Sequence, residues 1–338
     1  MEKIKVAVLG ATGIVGQVFM WMLSNHRQFE IAFITASSPR IGKSYGDDAR
    51  WMLPFEMPDN IKHIKFEELD YSKLEKLGIK VVFSALLSEV AMRVEPELRA
   101  NNFWVFSNAS ALRYDENVPI LIPEVNIESM DLIMGQGFPE KGFVITNANC
   151  SVTGLAVALA PLRKFGIKEV FVSTYQAISG AGYPGLSALD ISGNLIPYIK
   201  EEEEKIDIEL KKILGIEADV FPYCVRTPNL FGHLETVWVK FRESVNEDAV
   251  IGAWENFKME ELDIPSLPQK PIVYDKRVDF PQPKMSFFGN PPGMPVFTGR
   301  VRKEKDRIGF VLLVNNLVKG AAGGSIQNAE AFIKRFGG

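Results

Sequence analysis

The sequence predicts an α/β protein of two domains: a Rossmann-like, doubly wound nucleotide-binding domain, then an α+β domain on a mixed, largely antiparallel sheet. Three observations carry this. Strand-like and helical segments alternate over the first 150 residues, a glycine-rich turn follows the first strand, and the later strands are longer and alternate in polarity. At 338 residues the chain is also too long for one small domain.

Taken in order, apolar runs at 5–9, 31–35, 81–85, 104–106, 120–122 and 143–146 read as buried strands, with helical patterns at 15–25 and 89–101 between them. Beyond Cys150 the pattern predicts a helix over 151–165, strands at 169–179, 221–225, 235–241 and 308–314, and a helical segment at 186–212. A Pro-rich stretch at 265–295 carries enough Ile, Val, Phe and Met to be an ordered surface excursion. A last helix, 323–336, is expected to return to the first domain. The expected division is 1–149 with 319–338 for the nucleotide domain and 150–318 for the second, catalytic and dimerisation domain. The sheet of that second domain is the expected interface of a homo-oligomer, a dimer first and a tetramer second, because flat apolar faces need covering.

Composition narrows the function classes. Hydrophobic residues at 46% and charged residues at 24% describe a globular chain, and a net charge of −4 gives no general field for nucleic acid. No apolar run is long enough to span a bilayer, and no signal-peptide pattern precedes the first strand. Two cysteines, Cys150 and Cys224, are too few for a disulfide framework, so a reducing cytoplasm is the expected setting. Small-molecule substrates are the expected partners, with no nucleic acid, membrane or metal.

The first strand runs into Gly10-Ala11-Thr12-Gly13-Ile14-Val15-Gly16 and then a helix. Glycines allow a tight turn and close backbone approach, and the helix start offers N–H groups and a dipole to a pyrophosphate. At the end of the second strand an NAD enzyme usually carries Asp or Glu for the ribose 2′-hydroxyl. Here Ala36, Ser37 and Ser38 stand there, followed by Arg40 and Lys43, a set suited to the 2′-phosphate of NADP; the alternative is solvated loop charge.

Cys150 follows Asn149 between a strand and a helix rich in Ala and Leu, where the helix dipole and free amides favour a thiolate. Cys224 lies inside a strand pattern and reads as a small buried hydrophobe. Of three histidines, His26 falls in a loop and His63 in a charged stretch, both expected to face solvent. His233 opens a strand and is the candidate base for Cys150, with Arg226 seven residues before it, a fork suited to a carboxylate. The run Glu201-Glu202-Glu203-Glu204-Lys205 is either a substrate-binding face or an exposed helix face with i, i+4 pairs.

The ordered set of the glycine turn, Ser107-Asn108-Ala109-Ser110, Asn149-Cys150-Ser151, Gln176-Ala177-Ile178-Ser179-Gly180-Ala181-Gly182, the Arg226 to His233 spacing and Asn316-Leu317-Val318-Lys319-Gly320-Ala321-Ala322-Gly323 resembles the aspartate-semialdehyde dehydrogenases, closest to their archaeal and fungal branch. The resemblance spans essentially the whole chain. It implies reduction of L-aspartyl-4-phosphate to the semialdehyde by NADPH, a step in lysine, threonine and methionine biosynthesis. Cys150 would be the nucleophile, Gln176 would orient the intermediate, and His233 would be the acid–base catalyst. Arg226 would bind the substrate α-carboxylate, Glu202 its amino group, and Arg113 and Lys205 its phosphate, with Asn149 beside them. Ser84, Ala85, Gly180, Asn316 and Gly320 would join the cofactor site. Two departures stand out: Ala148 where relatives commonly carry proline, and Phe231 where an acid often precedes the Gly-His pair. An acyl-CoA reductase such as malonyl-CoA reductase is the nearest alternative, opposed by the acidic run. A catalytically silent NADP-binding sensor is the remote one.

Overall fold

The computed structural model describes residues 2–259 and 262–337. Its contacts divide the chain into one unit of 1–121, 128–147 and 322–338 and a second of 122–127 and 148–321.

The first unit is built on a six-stranded parallel sheet of β1 (Ile4–Leu9), β2 (Phe29–Thr35), β3 (Phe66–Glu67), β4 (Val81–Ser84), β5 (Trp104–Ser107) and β6 (Phe143–Thr146). The spatial order is β3-β2-β1-β4-β5-β6, with the topological switch between β1 and β4. Helices α1 (Ile14–Leu23) and α2 (Ser88–Ala100) are two of its crossovers. Strands covered on both faces are near-continuous apolar runs, and β4 and β6, apolar up to their last residues Ser84 and Thr146, are fully buried. Residues 120–122, expected as a strand, contribute only a bridge from Ile120 to Thr146. His26 corrects the expectation of a solvent-facing loop residue. It is buried, its Nε2 lies 2.8 Å from Glu330, and its Nδ1 accepts the N–H groups of Gln28 and Phe29.

The second unit carries α3 (Cys150–Leu159), β7 (Ile167–Gln176), α4 (Glu202–Leu214), β8 (Asp219–Arg226), β9 (His233–Phe241), α5 (Glu247–Glu255), β10 (Ile272–Asp275), β11 (Val296–Glu304) and β12 (Arg307–Val314). The last helix, α6 (Gly323–Phe336), belongs to the first unit, where Phe332 packs 4.6 Å from Phe143. The second sheet is mixed, in the order β10-β11-β12-β9-β7-β8, with parallel pairs only at its two edges. Along β9 every second residue, from His233 to Phe241, is buried, so one face of the sheet is core and carries the site residues. The expected helix over 186–212 is instead a single turn, Ala188–Ile191, and α4, because Gly193 and Pro197 interrupt the pattern. Helix α5 and strands β10 and β11 were not anticipated. Among the described residues no helix is long and apolar enough to cross a membrane.

Candidate active site

Register assembles the chemistry. In the second unit Gln176 pairs with Arg226 across β7 and β8, while the neighbouring pair Tyr175–Leu234 sets Gln176 level with His233 on β9. Three polar side chains from distant parts of the sequence thus form one cross-strand row on the covered face, all buried.

Cys150 enters this row from α3, of which it is the first residue. Asn149 caps that helix, its Oδ1 accepting from the N–H of Ser151 at 3.0 Å and of Val152 at 3.5 Å. The Cys150 Sγ lies 3.1 Å from His233 Nε2. His233 Nδ1 accepts the N–H of Ala177 at 3.0 Å. A ring nitrogen that accepts carries no proton, so the neutral imidazole is protonated at Nε2 and points its proton at sulfur. Burial, reinforced by the Arg226 cation, pushes the His233 pKa down to about 3, which keeps the ring neutral at physiological pH. Arg226 donates to the carbonyl of Ala177 at 2.7 Å. Burial lowers its pKa, with Cys150 and Glu202 acting the other way.

The acidic run resolves by geometry. Glu202 accepts from Asn149 Nδ2 at 2.9 Å and from Gln176 Nε2 at 3.1 Å. Glu203 instead takes the N–H of Cys224, and Glu201 and Glu204 are exposed. Lys205 Nζ lies 3.7 Å from Glu202 and 3.5 Å from Glu201. Gly180 backs onto Arg226 and His233, where a Cβ would sit 2.9 Å from the guanidinium, and Gly320 backs onto Cys150 at 3.0 Å. Asn316 is engaged on both sides, donating to Ser179 Oγ and accepting from the N–H of Gly232, each at 2.9 Å. It therefore pins the turn ahead of His233, helped by Asn229, which donates to the carbonyls of Phe231 and Gly232. Side-chain amides thus hold this turn. Gly232 itself needs φ +84°, and a Cβ there would meet Ser286 at 2.8 Å. Cys224 is buried, and burial pushes its thiol up to about 12, so it is not a second nucleophile.

The nucleotide elements lie in the first unit. Gly10, at φ +75°, brings its Cα against the carbonyl of Ala85, where a Cβ would be 2.7 Å from oxygen. No side chain caps the start of α1, and no acid stands in its first turn, so its amides and dipole are open to an anion. Ser84 ends β4, Ala85 follows it, and the Ser84 carbonyl accepts from Asn108. Ser37 and Ser38 are exposed beside Arg40 and Lys43. Those two bases share a carboxylate that the strand-end pattern did not reveal. Asp48 takes Arg40 at 2.6 Å and Lys43 at 2.8 Å, leaving the cluster one net positive charge. Hydrogen bonding from Lys43 leads the causes that lower the Asp48 pKa. Arg113 is also in this unit, buried, with one nitrogen on the carbonyl of Asn108. Two groups that touch the site residues escaped the sequence reading: the Ala177 N–H, which as backbone leaves no sequence signal, and Glu209, treated below.

Two family models match, the semialdehyde dehydrogenase NAD-binding domain over residues 5–133 and the semialdehyde dehydrogenase dimerisation domain over 159–319. The chain is 41% identical to the aspartate-semialdehyde dehydrogenase of Archaeoglobus fulgidus, covering 98% of both chains. The chain belongs to the aspartate-semialdehyde dehydrogenase family. A crystal structure of the Candida albicans enzyme with NADP superposes with a TM-score of 0.86 at 34% identity, over 98% of each chain. The NADP-dependent malonyl-CoA reductase of Metallosphaera sedula is a more distant relative, 33% identical over 99% of this chain and 98% of its own.

Proposed function

We propose that the chain catalyses the NADPH-dependent reductive dephosphorylation of L-aspartyl-4-phosphate to L-aspartate-4-semialdehyde through a thioester on Cys150, a step of amino-acid biosynthesis. The contact between Cys150 Sγ and a neutral His233 that donates from Nε2 carries this reading. The donor favours the thiolate, and the reaction needs no proton at sulfur if the thiol begins and ends ionised.

The thiolate attacks the acyl carbon, a C–S bond forms, and the C–O bond to phosphate breaks. Arg226 holds the substrate carboxylate and Glu202 its ammonium group, so the acyl carbon is presented to sulfur rather than found by collision. Lys205 draws the phosphate. The turn from Gly10 to Gly16 would hold NADPH, with Arg40 and Lys43 as the candidates for its 2′-phosphate, and the cofactor would supply the hydride for reduction of the thioester. The uncapped α1 terminus and the close approach allowed at Gly10 fit that cofactor. Collapse of the resulting oxyanion expels thiolate back to the His233 N–H. Gln176, oriented by its bonds to Thr174 and Glu202, donates to the developing oxygen. The His233 role is then hydrogen-bond donation at sulfur rather than removal of a thiol proton. Retained thiols at Cys150 and Cys224 suit a reducing cytoplasm. The outer face of the second sheet, where Phe171 stacks on Phe221 and Tyr223 is 70% exposed, supports a homodimer through that face.

The deciding assay runs in reverse, comparing NADP reduction with aspartate semialdehyde plus phosphate against malonic semialdehyde plus coenzyme A. The first pair is expected to turn over and the second to be silent. Activity in the second pair alone would replace the substrate with an acyl-CoA while keeping the thioester. Cys150→Ala is expected to abolish phosphate-dependent turnover while leaving NADP binding intact, and undiminished turnover would remove the nucleophile.

A further inference from the structure

Helix α4 grips the residue ahead of the nucleophile at two points. Glu202 and Glu209 are seven residues apart, two turns of one helix, so their side chains share a face. Both end on Asn149. Glu202 receives the side-chain amide, as described above. Glu209, fully buried, receives the backbone N–H of Asn149 at 2.6 Å. That distance lies at the short end for N–H to oxygen. The other polar group of the Asn149 side chain, Oδ1, is spent on the first amides of α3, and the Asn149 backbone carbonyl accepts from the Thr153 N–H at 3.0 Å and the Thr153 hydroxyl at 3.1 Å. Asn149 therefore has little freedom to rotate while the Glu209 contact is in place, and Cys150 is the next residue along.

We propose that Glu209 is a positioning residue for Cys150. By accepting the Asn149 N–H it fixes the start of α3, and with it the sulfur against the His233 N–H. The inference rests on the reading of Cys150 as the nucleophile. Without an acceptor at position 209 a buried N–H loses its partner, and the loop relieves this by turning Asn149 toward another acceptor. The sulfur then moves off the His233 donor, the thiolate is less favoured, and turnover slows. Substrate capture by Arg226 does not pass through Asn149, while the Glu202 contact does, so kcat is expected to fall by more than KM rises.

The test uses the full-length enzyme in three forms: wild type, Glu209→Gln, which keeps an acceptor oxygen, and Glu209→Met, which keeps the length and loses the acceptor. Two readouts are taken: steady-state kinetics, and the pH profile of Cys150 alkylation by iodoacetamide, mapped by mass spectrometry. In Glu209→Met, kcat is expected to fall roughly 10- to 100-fold, the scale of a sub-ångström to 1 Å misplacement of a reacting group. KM should rise by less than kcat falls, and the alkylation midpoint should move to higher pH. Glu209→Gln should rescue both. If Glu209→Met does not fold, Glu209→Asp replaces it, since withdrawing the oxygen by one methylene should move the same readouts in the same direction. Wild-type kcat and alkylation profile in the acceptor-free or shortened variant overturn the proposal, as does loss of melting temperature alone. A different failure belongs to the nucleophile reading: there, wild-type enzyme alkylated at Cys150 keeps its turnover.

Discussion

Glu235 lies two residues inward of His233 on the same face of β9, fully buried, with neither carboxylate oxygen hydrogen-bonded. Burial raises its pKa well above the ordinary 4.5, so it is held as the neutral acid. A raised folded-state pKa means the folded chain binds a proton that the unfolded chain has released. The stability this contributes is complete below 4.5 and is lost as pH rises toward the folded value. His233 has the opposite sign. Its pKa falls from 6.5 to about 3, so its contribution is complete above 6.5 and is lost as pH falls toward 3. Between 4.5 and 6.5 the two slopes oppose each other, and above 6.5 only that of Glu235 remains. Glu235→Gln is therefore expected to stabilise the protein at pH 8 and to flatten its alkaline limb, by up to about 1.4 kcal/mol per pH unit. Urea denaturation at pH 6, 7 and 8 reads this directly. A variant that tracks wild type at all three values would show that Glu235 is ionised in the folded chain.

Helix α3 reaches the sheet closely because residue 154 is glycine. A Cβ there would lie 2.7 Å from the Cβ of Val314 and 3.2 Å from Leu312, both on β12, whose Val314 pairs with His233. Gly154→Ala gains about 1 kcal/mol of helix propensity but is charged about 1–3 kcal/mol for overpacking, so the net change is destabilising. Because α3 carries Cys150, kcat should fall with stability. Gly252→Ala in α5, where a Cβ meets nothing within 4 Å, should instead stabilise by about 0.4–1 kcal/mol with kcat unchanged. Urea midpoints with parallel kinetics check both signs, and matching signs would show that the close approach does not decide the outcome. These elements also mark what was legible beforehand. The parallel strands were readable because apolar residues fill both faces, and α3 because its apolar run follows a reactive cysteine. Strand β11 was not, since Gly299 and Arg300 interrupt it at a register shift and prolines precede it. Cys150 and His233 were readable because few residues of either type exist. Glu209 was not, because within the charged sequence of α4 nothing distinguishes a buried carboxylate from a solvated one until the fold places it on Asn149.

Over the whole molecule, the thiol chemistry and the nucleotide turn are built by separate stretches of chain. Cys150, Gln176, Glu202, Arg226 and His233 belong to the second unit, and Gly10 to Gly16 to the first. Each group owes its geometry to its own sheet: a cross-strand row in one, the end of β1 beside β4 in the other. Damage to one should therefore leave the intrinsic chemistry of the other standing. Gly16→Ala makes the sharpest case, because its Cβ would fall 2.2 Å from the carbonyl oxygen of Gly10 and 2.7 Å from the Ala11 Cα. These are backbone atoms that cannot swing aside, so the turn must open and its amides lose their common direction. NADP affinity is expected to fall by at least about tenfold, the cost of roughly one lost charge-assisted contact, with NADPH-dependent turnover falling alongside. The rate and pH profile of Cys150 alkylation should stay at wild-type values, as should acylation of the thiol by an activated ester. Calorimetric titration of NADP and timed alkylation of the same preparation measure the two arms. A shifted alkylation profile in Gly16→Ala would show that the nucleotide turn helps to set the thiolate, and the two sites would then have to be treated as one.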